Sequence, residues 1–153
     1  MDTRIRRLVR ADPEGIYRLV AAVEDWPRLL PHYRWVRVLA NETGARRTVE
    51  MAARRDVLGP LGVPLWWVAI QTLHPDDTRV EFEHVRGVTT GMRVAWTIAR
   101  CAEGETEVEI RHVFSPRWPV PSVLVRAVVG EYFVNGVARR TLDYLSQVAQ
   151  RPS

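Results

Sequence analysis

The chain contains no lysine: all 22 of its basic residues are arginine. That absence excludes Schiff-base chemistry, a pyridoxal phosphate lysine and a Walker-type phosphate loop, each of which needs a lysine amine. Cysteine is nearly absent as well. Cys101 stands alone, so neither an internal disulfide nor a cysteine-based zinc cage can form. No run of about 18 consecutive apolar residues occurs, and the opening MDTRIRRLVRADPEG lacks the apolar stretch of a signal peptide. Neither export nor membrane spanning is expected, and the expected location is cytoplasmic. No histidine and carboxylate spacing of the metal-binding kind is found, so no metal and no cofactor is expected.

What is present is an ordinary globular composition, with 46% hydrophobic and 26% charged residues over 153 positions. That length suits one domain, residues 1–153, with a full core. The sequence pI is near 10.0, yet the net charge is only +4 because 18 acidic residues lie among the arginines. The doublets Arg6-Arg7, Arg46-Arg47, Arg54-Arg55 and Arg139-Arg140 sit in separate segments. They read as solvated faces and ion pairs, and no nucleic-acid partner is expected.

The chain opens with TRIRRLVRA, loosely alternating, as a first strand. Asp12-Pro13-Glu14 then starts a helix: an aspartate to cap free N–H groups, a proline that needs no donor, and a glutamate at the positive dipole end. Ile16, Leu19, Val20 and Val23 form its buried stripe. Trp26-Pro27 ends or bends it. From Tyr33 the period becomes two, and strands are predicted at 33–40, 45–56, 65–73, 79–87, 91–101 and 106–114, separated by NETG, GPLGVP, HPDDT, GVTTG and AEGE. Such short turns imply an antiparallel meander. After the proline-rich SPRWPVPS, Ser122 caps a helix to about Gln150, whose stripe is Leu124, Val128, Tyr132, Asn135, Ala138, Leu142 and Leu145. That helix needs an apolar partner, and the concave face of the sheet is the surface available.

Strand parity then separates the two faces of the sheet. Val80, Phe82 and His84 share one; Met92, Val94, Trp96 and Ile98 another; Val108, Ile110, His112 and Phe114 a third. On 45–56 the inward set is Val49, Met51 and Ala53, with Arg55 open between the two faces. The strand 65–73 is apolar on both sides and stays ambiguous by pattern. His84 and His112 on apolar faces are either satisfied core residues or neutral imidazoles offered to a ligand. Asn135 on the helix stripe poses the same choice.

An antiparallel sheet around a terminal helix, built from ADPEGIYRLVAAVEDWPRLLPHY, PLWWVAIQTLHPDDTRVEFEHVRGVTTGMRVAWTI and YFVNGVARRTLDYL, resembles the helix-grip superfamily of START lipid-transfer domains, Bet v 1-type proteins and polyketide cyclase/dehydrases. The resemblance implies an α+β helix-grip fold: a curved antiparallel sheet of about seven strands wrapped around a long C-terminal helix, with two short helices after the first strand. It turns Leu65, Trp67, Ala69 and Gln71 inward and makes the stretch around Trp26, Leu29, Leu30, Tyr33 and Trp35 a cavity wall. The strand text is similar to aromatase/cyclases of aromatic polyketide pathways. On that pattern the cavity tyrosine falls on Tyr33 and the cavity tryptophans on Trp67 and Trp96. Gln71 stands where an arginine is usual, Ala69 where a serine is, and Ala138 where an asparagine is.

The expected catalytic set is Tyr33, Gln71 and His112. The expected ligand-binding set is Trp26, Leu30, Met51, Arg55, Trp67 and Phe82, with His84, Met92, Val94, Trp96, Ile110 and Asn135. The implied activity is binding of a hydrophobic small molecule with aldol cyclisation and dehydration of a polyketide-type substrate. The alternative is non-catalytic binding or transfer of a lipid, quinone or polyprenyl compound, which needs fewer polar groups inside. A transient membrane-surface contact through PRWPVPSVLVRAVV is a further expectation. Monomer and homodimer both remain open.

Overall fold

The computed structural model of the protein describes residues 1–53, 66–87, 89–115 and 137–151. The chain forms strand β1 (Asp2–Val9), helix α1 (Pro13–Ala21), a 3-10 turn (Val23–Asp25) and a short helix α2 (Trp26–Leu29). Six strands follow: β2 (Tyr33–Thr43), β3 (Arg46–Ala53), β4 (Trp66–His74), β5 (Arg79–Gly87), β6 (Met92–Ala102) and β7 (Glu105–Phe114). Helix α3 (Arg139–Ala149) comes last among the described elements. All neighbouring strands are antiparallel in the order β1-β7-β6-β5-β4-β3-β2. Strands β2 to β7 are a plain meander, and β1 closes the sheet against β7. This is the expected helix-grip architecture.

Local chemistry explains the entry into α1, with one correction. Pro13 stands in the first turn and Glu14 beside it, where a missing donor costs nothing and a negative charge suits the helix dipole. Asp12, expected to cap that helix, makes no side-chain cap bond. Its carboxylate instead accepts from the Arg100 guanidinium on β6, which ties the helix start to the sheet. Ile16 and Val20 face the core, and α1 packs on α3 and the ends of β5 and β6. The Trp26-Pro27 break is bridged by the 3-10 turn, with Pro27 in the opening turn of α2.

The β2–β3 turn is tighter than expected: β2 runs through Thr43, and Gly44 and Ala45 alone make the turn. Register shifts along β2 absorb the extra residues. At the other end of the sheet Gly87 has φ +98, and a Cβ there would lie 2.4 Å from the Trp66 carbonyl oxygen. Glycine is therefore required where β4 and β5 converge beside Trp67, the residue paired with it.

The inner faces agree with strand parity: Val80, Phe82, His84, Met92, Val94, Trp96, Ile98, Val108, Ile110, His112 and Phe114 are all buried. Of the predicted long helix, the described part is a π-type turn at Val137 and Ala138 leading into α3. Its buried stripe is Val137, Ala138, Thr141, Leu142, Leu145 and Ser146. Two hydroxyls lie on that stripe because each donates to the carbonyl one turn back, Thr141 to Val137 at 2.9 Å and Ser146 to Leu142 at 2.6 Å. Arg55, Leu65, Asn135 and the PRWPVPSVLVRAVV stretch lie outside the described residues. Among the described residues, no helix is long and apolar enough to cross a membrane, and no group of three or more side chains is placed to hold a metal ion.

Candidate functional site

Between the inner face of the sheet and the first turn of α3 lies a small cavity of about 30 Å³. The sheet supplies Met51 from β3, Trp67 from β4, Phe82 and His84 from β5, Val94 and Trp96 from β6, and Ile110 and His112 from β7. Period two aims each of these at the same space. Trp26 of α2 and Tyr33 at the start of β2 close one side, while Val137, Ala138 and Thr141 close the other.

Aromatic contacts set the cavity's shape. The Trp26 ring lies 5.4 Å from that of Tyr33 and 6.2 Å from those of Phe82 and Trp96. Tyr33 meets Trp67 edge-on at 6.2 Å. Tilted and edge-on arrangements of this kind are favourable for ring quadrupoles. The Trp26 indole N–H donates to the Leu19 carbonyl at 2.9 Å, which pins that ring to the end of α1. Trp67 and His84 are stacked almost parallel, with an interplanar angle of 2° and centroids 5.7 Å apart.

The polar groups of the wall, indoles aside, are Tyr33, His84, His112 and Thr141, and no Arg, Asp or Glu lines it among the described residues. Burial pushes the His84 imidazole down to about 3, with the nearby His112 adding to the effect. Burial alone holds His112 at about 4. Both rings are therefore neutral at physiological pH, and each offers one donor and one acceptor nitrogen. The Nδ1 of His84 lies 2.6 Å from the Thr89 hydroxyl, so that ring is held by hydrogen bonding as well as by stacking. Burial raises the Tyr33 phenol well above its ordinary value, partly offset by Thr141. Tyr33 is thus a neutral donor.

The cavity brings together Tyr33 and His112 of the expected catalytic set. It also gathers Trp26, Met51, Trp67, Phe82, His84, Val94, Trp96 and Ile110 of the expected ligand-binding set. Gln71 is placed elsewhere. It is fully buried on the inner face of β4, but two positions along the strand from Ala69, beneath the last turn of α1. Its amide accepts from the Arg47 guanidinium at 2.6 Å and donates to the Ala21 carbonyl at 2.9 Å. Arg47 donates to the same carbonyl and pairs with Glu24. Gln71 therefore braces the end of a helix and is not a cavity donor. Leu30 and Met92 are fully buried core residues that do not line the cavity. Trp35 lies off the wall too, with the Arg37 guanidinium 4.4 Å above its ring.

Two polar residues at the site carried no expectation. Thr141 lines the cavity, and His32, buried behind Tyr33, reaches the Thr141 hydroxyl at 2.8 Å. Thr141 follows Ala138 by three, so the helix stripe could have included it. His32 had no comparable pattern.

Residues 9–139 match the family described as polyketide cyclase/dehydrase and lipid transport. A granaticin polyketide synthase bifunctional cyclase/dehydratase from Streptomyces violaceoruber is 33% identical over 120 residues, 77% of this chain and 35% of that protein. The chain thus spans about a third of that relative's length. Among solved structures, the Zhui aromatase/cyclase from Streptomyces sp. R1128 superposes with a TM-score of 0.83 at 16% identity, covering 99% of this chain and 94% of that one. A START superfamily protein from Mycobacterium smegmatis gives 0.73 at 16% identity, covering 96% and 98%. At these identities the structural likeness concerns the fold.

Proposed function

Because the chain belongs to the polyketide cyclase/dehydrase and lipid transport family, we propose that its cavity takes an uncharged, carbonyl-rich, polyketide-type ligand and promotes aldol ring closure and dehydration. The observation that carries this reading is the aromatic box of Trp26, Trp67, Phe82 and Trp96, with Tyr33 and His112 set into its walls. Flat walls hold a flexible chain folded, so that a methylene carbon and a distant carbonyl meet. The Tyr33 phenol donates to the carbonyl oxygen on which negative charge develops. The neutral His112 imidazole takes the methylene proton as the enol forms. As the carbon–carbon bond closes, that proton passes to the new alkoxide oxygen to give the hydroxyl. In the dehydration His112 takes a second proton from the same carbon and delivers it to that hydroxyl, which leaves as water.

A second reading is favoured by one observation: no Arg, Asp or Glu lines the described cavity. Without a formal charge to polarise a carbonyl, the same space suits non-catalytic binding or transfer of a lipid, quinone or polyprenyl compound. Native mass spectrometry of protein purified from its own host, with extraction of the bound molecule, separates the two. A polyphenolic or polyketide compound supports the cyclase; an isoprenoid quinone or acyl lipid supports the carrier. With a polyketide substrate in hand, Tyr33→Phe and His112→Ala should each lower turnover roughly 100-fold. Full turnover in both variants would remove their catalytic roles.

A further inference from the structure

His32 is a buried imidazole, 1% exposed, that does not line the cavity. Its ring stacks on Tyr144 at 5.9 Å and lies 4.7 Å from Tyr33. Burial and then the neighbouring Arg140 charge lower its pKa to about 4, partly offset by the Val137 backbone, so it carries a single N–H at neutral pH. Its Nε2 lies 2.8 Å from the Thr141 hydroxyl, while its Nδ1 is buried without a hydrogen-bond partner. A proton on Nδ1 would leave a buried donor unpaired; a proton on Nε2 has an acceptor waiting. His32 therefore donates to Thr141 through Nε2.

Having accepted that bond, Thr141 has one hydrogen and two acceptors for it: the Val137 carbonyl at 2.9 Å and the Tyr33 phenol oxygen at 3.4 Å. The shorter distance makes Val137 the resting acceptor, and the Tyr33 hydrogen is then free to point at Thr141. A ligand carbonyl in the cavity changes the balance. It draws the Tyr33 hydrogen inward, leaving the phenol oxygen to accept from Thr141. We propose that His32 and Thr141 are positioning residues that turn the Tyr33 hydroxyl into the cavity and strengthen its donation to a carbonyl oxygen of the ligand. This rests on the reading of the cavity as a carbonyl site. Every group in the chain is neutral, and successive donation from His32 through Thr141 to Tyr33 polarises each bond in turn.

Two measurements test it. In the ligand-free protein, long-range nitrogen–proton NMR correlations identify the His32 tautomer, with His32→Phe supplying the assignment. The Nε2–H form is expected, and the Nδ1–H form would overturn the proposal. The second uses α-tetralone, a small flat ketone, carbon-labelled at the carbonyl and followed by infrared difference spectroscopy. Bound to the protein, its carbonyl band should move to lower frequency, and Tyr33→Phe should abolish the shift. Thr141→Ser should preserve it. Thr141→Val should lose roughly half of it or more, because the relay into the phenol is cut. His32→Phe keeps the stacking on Tyr144 and should reduce the shift in the same direction. A full shift in both Thr141→Val and His32→Phe would show that these residues only pack. Failure of α-tetralone to bind the unaltered protein would count against the carbonyl site itself, and the tautomer would still decide the relay.

Discussion

At the scale of single residues, the wall of the cavity is a consequence of strand parity. Phe82 and His84, Val94 and Trp96, and Ile110 and His112 face one space because each pair is two positions apart on its strand. Trp96→Ala should weaken ligand binding by about 1 kcal/mol or more through loss of a ring face, whether the ligand is turned over or merely carried. Isothermal titration with the extracted ligand checks this, and unchanged affinity would place the ligand away from β6. Parity has a limit that Gln71 exposes. It correctly turns that side chain inward, but it says nothing of what lies above each point along the strand. Above Trp67 there is cavity; above Gln71 there is the last carbonyl of α1. Thr141 and His32 were harder still, because their link joins positions 109 residues apart in the chain. Only the rotation of α3 about its axis brings that hydroxyl to that ring, and no local pattern encodes it.

At the scale of elements, the sheet was legible and the helix seats were not. Alternation and turn residues located the strands to within a few positions, since a half-buried strand must alternate. Where α1 would rest depended on Arg47, Gln71 and Ala21, which come from three separate elements. That brace can be tested apart from the cavity. Gln71→Leu removes one of the acceptors of the Arg47 guanidinium and one donor to the Ala21 carbonyl. It should cost about 1–3 kcal/mol in urea unfolding while ligand affinity stays unchanged. Loss of binding with full stability would return Gln71 to the site. Gly87 belongs to the same scale. Its left-handed backbone lets β5 approach β4 closely, and so sets the position of Trp67 and of the His84 ring stacked on it.

At the scale of the whole molecule, three buried histidines couple stability to acid. His84 at about 3, and His32 and His112 at about 4, all lie below the ordinary value of 6.5. The unfolded chain therefore binds protons first as pH falls. The stability these rings contribute is whole above pH 6.5 and is lost progressively down to their folded values. Each should cost about 1.4 kcal/mol per pH unit across that window, a steep loss against a total of roughly 5–15 kcal/mol. Urea midpoints taken between neutral and mildly acid pH should fall accordingly, and His112→Gln should flatten the slope. A midpoint that stayed level would mean the rings are solvated. The sheet also imposes an order of assembly. The meander from β2 to β7 can zip up through neighbouring hairpins, whereas β1 must wait for its partner, with Asp2 opposite Val113. Pairings that span the chain close slowly, because the entropy of a long loop is lost before any contact repays it. The α3 side of the cavity, with Thr141, arrives later still in the sequence. During synthesis the binding space is therefore among the last parts to exist, and a nascent chain stalled short of α3 would present its aromatic wall to whatever apolar molecule is nearby.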